Sequence, residues 1–318
     1  MASARSTALS LLWLARPKGA WLVAILPLIG FGYGLWERGS TVHPGYVLDE
    51  LGLLFAAWIV GHAGAMWLNA VLDRDHGPVL LGRAVPVPRG TAFAGYLALA
   101  GSVAVAWPLG LVPALCTAGC AVLAVLYSHP RVALKGRAIG GPLVNGVGYG
   151  TLSPLAGWAA ADGVLTWRTA ATLGLVLCFI LGAYFAAQAF QQDEDGRRGY
   201  RTLVVTHGPR WTLGAARACL LVASVGLVGL CLAGVYPRAL LVAAPGLLFA
   251  DRHLARWRRV PGGGDGRWAA RLVARLGVTA LLVVGGAYAH HVGQLLRDAP
   301  PGGCGTAIVP DALTDACG

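Results

Sequence analysis

The chain has 318 residues, of which 56% are hydrophobic and 12% are charged, and its formal net charge is +11. Soluble domains average about 25% charged residues, so this composition argues against a soluble protein. The basic residues lie mostly in short segments between apolar runs, which argues against a nucleic-acid-binding surface. Apolar runs of about 20 residues, the length that spans a bilayer, recur along the whole chain and predict a multi-pass membrane protein.

Nine apolar segments predict nine transmembrane helices and an all-α fold. In chain order they are residues 19–37, 46–73, 91–108, 110–128, 139–160, 168–193, 211–232, 236–251 and 268–293. Arg5, Arg16 and Lys18 precede the first segment without a small-residue cleavage site, so this segment is expected to be a retained helix and not a signal peptide.

The basic residues predict how the chain is oriented. They cluster before the first segment and after the second, fourth, sixth and eighth, whereas the alternate connections carry few. By the positive-inside rule this pattern predicts a cell-membrane protein with a cytoplasmic N-terminus and an extracytoplasmic tail at residues 299–318. Cys304 and Cys317 lie in that tail, where an oxidising compartment would allow them to pair.

An internal repeat is also indicated. The second and sixth segments both end in an acidic cluster followed by a basic connection. We therefore expect one transmembrane domain over residues 1–298, with two four-helix halves (about 19–128 and 139–251) and a ninth helix (268–293). Repeats of this kind commonly place a binding site at their interface.

The two acidic clusters carry the chemistry that the sequence predicts. Asn69 and Asp73 are four residues apart, as are Gln191 and Asp195, so each pair shares one helix face. Carboxylate and amide oxygens suit Mg²⁺, which also bridges to substrate phosphates. Asp75 and Asp193 would point away from these faces on a continuous helix, so they can contribute to the metal site only if the helices break near them. The alternative is that both acidic clusters are solvated helix ends without a metal.

Four motifs make the chain resemble the UbiA superfamily of intramembrane prenyltransferases, which includes quinone-biosynthesis enzymes and the chlorophyll and haem O synthases. They are Asn69–Asp73 (family N-D-x-x-D), Gly82–Gly90 (N-R-P-x-P-S-G), Tyr127–Lys135 (Y-S/T-x-P-P-x-x-x-K) and Asp195–Leu203 (D-R-x-x-G-x-x-T-L). The family fold has nine helices. Three family carboxylates are replaced here, by Ala70, Gly77 and Gln191, while Asp75 and Asp193 stand nearby.

The resemblance implies a Mg²⁺-assisted transfer of an isoprenyl group from an isoprenyl diphosphate to an aromatic or other lipophilic acceptor. The residues that it implies as metal ligands are Asn69, Asp73 and Asp195, with Asp75, Gln191 and Asp193 as further candidates. Arg83, Lys135 and Arg201, with Asn69, are the implied diphosphate ligands. Asp73, Asp195, Lys135 and Tyr127 form the implied catalytic group.

Two other functions fit parts of the sequence. A membrane terpene cyclase of the same superfamily would ionise the same diphosphate without an acceptor. A transporter or a non-catalytic lipid-diphosphate binder is the third possibility, but transporters usually carry polar residues near the bilayer midplane, whereas these acids lie at one end of their segments. His62, two turns before Asn69, is expected to be a packing residue.

Overall fold

The computed structural model describes residues 4–38, 44–73 and 85–298, and its regular elements over these ranges are thirteen α-helices with short 3₁₀ and π turns. The helices are α1 (Ala4–Leu14), α2 (Pro17–Arg38), α3 (Pro44–Asp73), α4 (Thr91–Ala106), α5 (Leu111–Ser128), α6 (Gly140–Val147), α7 (Ser153–Ala160), α8 (Trp167–Gln188), α9 (Gln192–Arg197), α10 (Leu203–His207), α11 (Pro209–Leu232), α12 (Ala244–Trp257) and α13 (Gly266–Asp298). The all-α fold class is confirmed.

Seven helical segments within the described ranges are long and apolar enough to cross a membrane, as judged by length and composition. They comprise α2, α3, α4 with its 3₁₀ extension, α5, α8, α11 and α13. The protein is therefore a multi-pass membrane protein. The count of nine spans, the two-half repeat and the orientation stay predictions, and residues 299–318 with Cys304 and Cys317 lie outside the described part of the chain.

The fifth and eighth predicted spans are helical but interrupted. In the fifth, a π-helical turn at Gly148–Leu152 joins α6 to α7. The Gly148 carbonyl there accepts hydrogen bonds from Ser153 Oγ at 2.9 Å and Cys120 Sγ at 3.5 Å. The eighth span begins with a 3₁₀ segment, Arg238–Ala243, before α12. Neither span is one uninterrupted α-helix, in contrast to the sequence prediction.

Two further elements differ from the prediction. Helix α1 precedes the first predicted span and contacts α3, where Trp67 Nε1 donates to the Leu11 carbonyl at 2.8 Å. The sixth span was expected to continue to residue 193, but α8 ends at Gln188 and the acidic cluster forms the separate helix α9. The intervening turn allows Phe190 to pack against the buried cluster that contains Leu213 and Trp257.

Helices α2 and α7 approach each other so closely that glycine is required on both sides. A Cβ atom at Gly30 of α2 would overlap the carbonyl of Pro154, and one at Gly157 of α7 would overlap the carbonyl of Pro27. Small residues at such crossings permit close backbone packing between membrane helices. This contact holds α7, and the π-helical turn that precedes it, against α2.

We expect Gly157→Ala to destabilise the protein, because the added methyl group has no room beside Pro27. Overpacking of this kind costs about 1–3 kcal/mol. Gly174→Ala in α8 is the matched control, since nothing lies within 4 Å of the position of its added Cβ, and alanine is the better helix former. Thermal unfolding in detergent measures both variants; equal melting temperatures would contradict the packing argument.

Candidate active site

A cavity of about 390 Å³ opens among α2, α3, α4, α5, α6, α8 and α9. One end, which we call the polar end, is lined by Asn69, Lys135 and Asp195; the other, the apolar end, is lined by Ala57 and Leu99 among others. Ligand sites are typically concave, mostly apolar and equipped with a few convergent polar groups. The cavity has these properties and combines a charged end with an apolar interior.

At the polar end, Lys135 and Asn69 form one hydrogen-bonded unit. The Asn69 Oδ1 atom accepts from Ser128 Oγ at 2.9 Å and from Lys135 Nζ at 3.4 Å. Lys135 is only 9% exposed and lies in a 3₁₀ turn that follows Ala133, whose backbone is left-handed (φ 42°). Burial, then the charges of Arg198 and Arg16, lowers the pKa of Lys135 to about 8. Lys135 is therefore a largely desolvated cation in the cavity wall, close to two arginines.

The loop after α5, which contains Lys135, is hydrogen-bonded to the loop after α9. The Arg201 backbone N–H donates to the Gly136 carbonyl at 2.8 Å, and Arg137 and Arg201 form an isolated parallel bridge. A Cβ at Gly136 would lie 2.7 Å from the ring of Tyr200. This close approach holds the loop after α5 against the loop after α9, so the two motif segments meet at one point.

Asp195, on α9, lines the same cavity as Lys135. Its Oδ2 atom accepts from Thr202 Oγ1 at 2.8 Å, and its backbone carbonyl accepts from the Tyr200 N–H at 2.9 Å. The Asp195 N–H donates to the Gln191 carbonyl at 2.9 Å, so the two residues are one helical turn apart. Burial raises the pKa of Asp195, and the hydrogen bond from Thr202 opposes that rise. The carboxylate lacks the solvation of a surface acid.

The structure brings five of the predicted site residues into the cavity lining: Asn69, Tyr127, Lys135, Gln191 and Asp195. Asp193 and Arg201 are exposed and do not line the cavity. Asp75 and Arg83 lie outside the described residues, and Asp73 is described only as the last residue of α3. The functional role of each of these residues stays a prediction.

Several lining residues were not assigned to the site from the sequence. They are Arg16, Asn145, Tyr184, Gln188, Glu194 and Arg198. Arg198 and Glu194 are paired at 2.7 Å on the edge of the cavity. A sequence signal existed for two of them, because Arg16 belongs to an Arg-Pro pair before the first span and Arg198 lies inside the Asp195–Leu203 motif. Tyr184 and Gln188 gave no such signal, since they sit within an apolar helix.

Comparisons with known proteins agree on one family. The family model described as the UbiA prenyltransferase family matches residues 25–276. A protoheme IX farnesyltransferase from Cereibacter sphaeroides is 32% identical over 235 residues, covering 70% of this chain and 70% of the relative. A protoheme IX farnesyltransferase from Anaeromyxobacter sp. is 31% identical over 270 residues, covering 78% of this chain and 86% of the relative.

A solved structure has the same fold. A UbiA homologue from Archaeoglobus fulgidus, bound to GPP and Mg²⁺, matches 89% of this chain and 99% of its own with a TM-score of 0.67. The sequence identity between the two is 19%, so this likeness concerns the fold.

Proposed function

Because the chain belongs to the UbiA prenyltransferase family, it is an intramembrane prenyltransferase, and we propose that it moves a farnesyl group from farnesyl diphosphate to a haem. The observation that carries the choice of substrates is the similarity to protoheme IX farnesyltransferases over 70% or more of both chains. Family membership favours transfer to an acceptor over the terpene cyclase alternative.

The polar end of the cavity suits a diphosphate. Lys135, Arg16 and Arg198 all line the cavity, and the pKa of Lys135 is lowered first by its burial and then by the charges of the two arginines. Ammonium and guanidinium groups bind phosphate oxygens through charge-assisted hydrogen bonds. These residues would bind the diphosphate and stabilise the charge that develops when it leaves. Arg83 and Arg201 remain further candidates from the family motifs.

Oxygen donors at the same end fit Mg²⁺. Asp195, Gln191 and Asn69 supply one carboxylate and two amide groups, the kind of hard ligand that Mg²⁺ prefers, and it keeps several waters when bound. Asp73, Asp75 and Asp193 are the other candidates. When bound, Mg²⁺ would neutralise the diphosphate and so make it a better leaving group.

The hydrogen bond between Asn69 and Lys135 suggests how metal binding and diphosphate binding are coupled at the polar end. In the protein alone Asn69 Oδ1 already accepts two hydrogen bonds, from Ser128 and Lys135. An amide oxygen has two lone pairs, so Asn69 can become a metal ligand only if one of these bonds is released. The longer bond, from Lys135, is the one expected to break, and its N–H could then donate to the diphosphate.

The interior of the cavity suits an allylic cation. Tyr127, Tyr149 and Trp58 line it together with aliphatic side chains. Aromatic faces attract cations, most strongly where water is excluded. Such walls would stabilise the cation while the prenyl chain lies among apolar residues, and they would limit its capture by water until the acceptor reacts.

The test is a transfer assay with the full-length protein in lipid nanodiscs. We expect farnesyl diphosphate, protohaem IX and Mg²⁺ to give a farnesylated haem, detected by mass, with release of diphosphate. EDTA should abolish the product and added Mg²⁺ should restore it. A cyclic terpene formed without acceptor, or transfer to a phenolic acceptor but not to haem, would contradict the proposal.

A further inference from the structure

His62 is a buried histidine in the wall of the candidate active site. It lies on α3, is 8% exposed, and lines the same cavity as Asn69 and Lys135. Neither of its ring nitrogens has a hydrogen-bond partner in the part of the chain that the structure describes. A buried polar group without a partner costs free energy, so its presence in a cavity wall indicates that a bound molecule supplies the partner.

Three other polar side chains in this part of the cavity wall are already hydrogen-bonded within the protein. Ser102 Oγ donates to the Leu99 carbonyl at 2.7 Å, and Trp58 Nε1 donates to Ser153 Oγ at 2.9 Å. Cys120 Sγ contacts the Gly148 carbonyl at 3.5 Å. Among the cavity-lining residues that the structure describes, His62 and Gln188 have buried polar atoms without a partner, and Gln188 lies near Gln191 at the polar end.

The position of His62 limits what that ligand can be. It precedes Asn69 by seven residues on one helix, which places it about 10 Å deeper along the α3 axis and on a similar face. At that separation it is out of reach of a diphosphate held by Asn69 and Lys135. A prenyl chain is a hydrocarbon and offers nothing to an imidazole. The remaining partner is the acceptor.

We propose that His62 is an axial ligand of the iron in a haem acceptor, an inference that rests on the proposed function. Neutral imidazole is the commonest protein ligand of transition metals and the usual proximal ligand of haem iron. Mg²⁺ prefers oxygen ligands, so a magnesium ion is not the expected partner of this side chain.

This assignment gives His62 a positioning role. The iron lies at the centre of the macrocycle, whereas the carbons that can attack a cation lie at its edge. Binding of the iron by His62, about two helical turns below Asn69, would allow one edge of the macrocycle to face the polar end, where the diphosphate would depart and the cation would form. Orientation of this kind contributes to the rate by holding the reacting atoms close together.

The experiment uses the full-length protein in nanodiscs, titrated with ferric protohaem IX and followed by absorption and resonance Raman spectra. We expect a histidine-ligated spectrum for the wild type, its loss in His62→Ala, and recovery when free imidazole is added. The KM for haem should rise by about 10–100-fold, the range seen when groups that position a metal centre are removed. The KM for farnesyl diphosphate should not change.

His291→Ala is the matched control. His291 is also buried in a helix (2% exposed), and neither of its ring nitrogens has a partner in the described residues, but it does not line the cavity. This variant should keep the wild-type spectrum and KM. If His62→Ala fails to fold, His62→Met is the second variant, because methionine fills more of the space left by histidine. Its thioether sulfur would replace the imidazole as the iron ligand and change the spectrum.

The outcomes separate the inference from the proposed function. A wild-type spectrum and an unchanged KM for haem in the His62 variants, while the wild-type protein farnesylates haem, would overturn the iron-ligand role alone. A wild-type protein that neither binds nor farnesylates haem, but transfers the prenyl group to another acceptor, would overturn both.

Discussion

Replacing Asp195 with asparagine is expected to lower the rate of prenyl transfer by about 10²–10³-fold, the loss typical when one charge-stabilising group is removed from an active site. The substitution preserves the shape of the side chain and the hydrogen bond from Thr202. It removes a negative charge from the cavity that Lys135 also lines. We expect the activity to need higher Mg²⁺ concentrations, and a Mg²⁺ titration of the initial rate measures this.

Asp265→Asn is the control for this experiment. Asp265 lies in the connection between α12 and α13, where its carboxylate pairs with Arg267 at 2.7 Å, and it does not line the cavity. Its rate and Mg²⁺ dependence should match those of the wild type. Asp193→Asn should show a smaller effect than Asp195→Asn, because Asp193 is exposed and outside the lining. Equal losses in both variants would contradict the central role of Asp195.

Replacing Lys135 with glutamine is expected to reduce kcat/KM for the isoprenyl diphosphate by about 10–100-fold, the range for a lost hydrogen bond to a charged group. The same substitution should raise the melting temperature of the substrate-free protein. The pKa of Lys135 is depressed to about 8, so the folded protein disfavours its charge, and at pH 7 that cost is fully present. A neutral side chain removes it.

Opposite changes in activity and stability are the signature of a charge that is retained for binding. Lys18→Gln serves as the control, since Lys18 is the other lysine of the chain and is exposed near the start of α2. It should change neither quantity. A Lys135→Gln protein that binds the diphosphate as tightly as the wild type would rule out Lys135 as a ligand.

The sequence was sufficient for the fold class and for the family, because both depend on local signals. Apolar runs of bilayer length mark the helices, and the Tyr127–Lys135 and Asp195–Leu203 motifs mark the family. The end of α8 at Gln188 was not predictable in this way. No glycine or proline marks the turn at Ala189, and the packing of Phe190 that accompanies it involves residues far along the chain.

Which residues line the candidate site also depends on tertiary structure and could not be predicted from local sequence. Arginines in the connections follow from membrane topology, so their number does not distinguish Arg198 at the cavity from Arg201 outside its lining. His62 was expected to be a packing residue, since a single histidine in an apolar helix usually is. Only the arrangement of the neighbouring helices places it in the cavity wall with two buried, unpartnered ring nitrogens.

The π-helical turn at Gly148–Leu152 has a consequence for comparing relatives. Such a turn holds one more residue than an α-helical turn, and it is frequently found at functional sites. A homologue with one residue fewer here would rotate α6 relative to α7 by about 100°. Tyr149 would then leave the cavity wall, and the Gly148 carbonyl would lose its contacts with Ser153 and Cys120. A single-residue gap at this point in an alignment therefore distinguishes relatives whose cavities have a different wall.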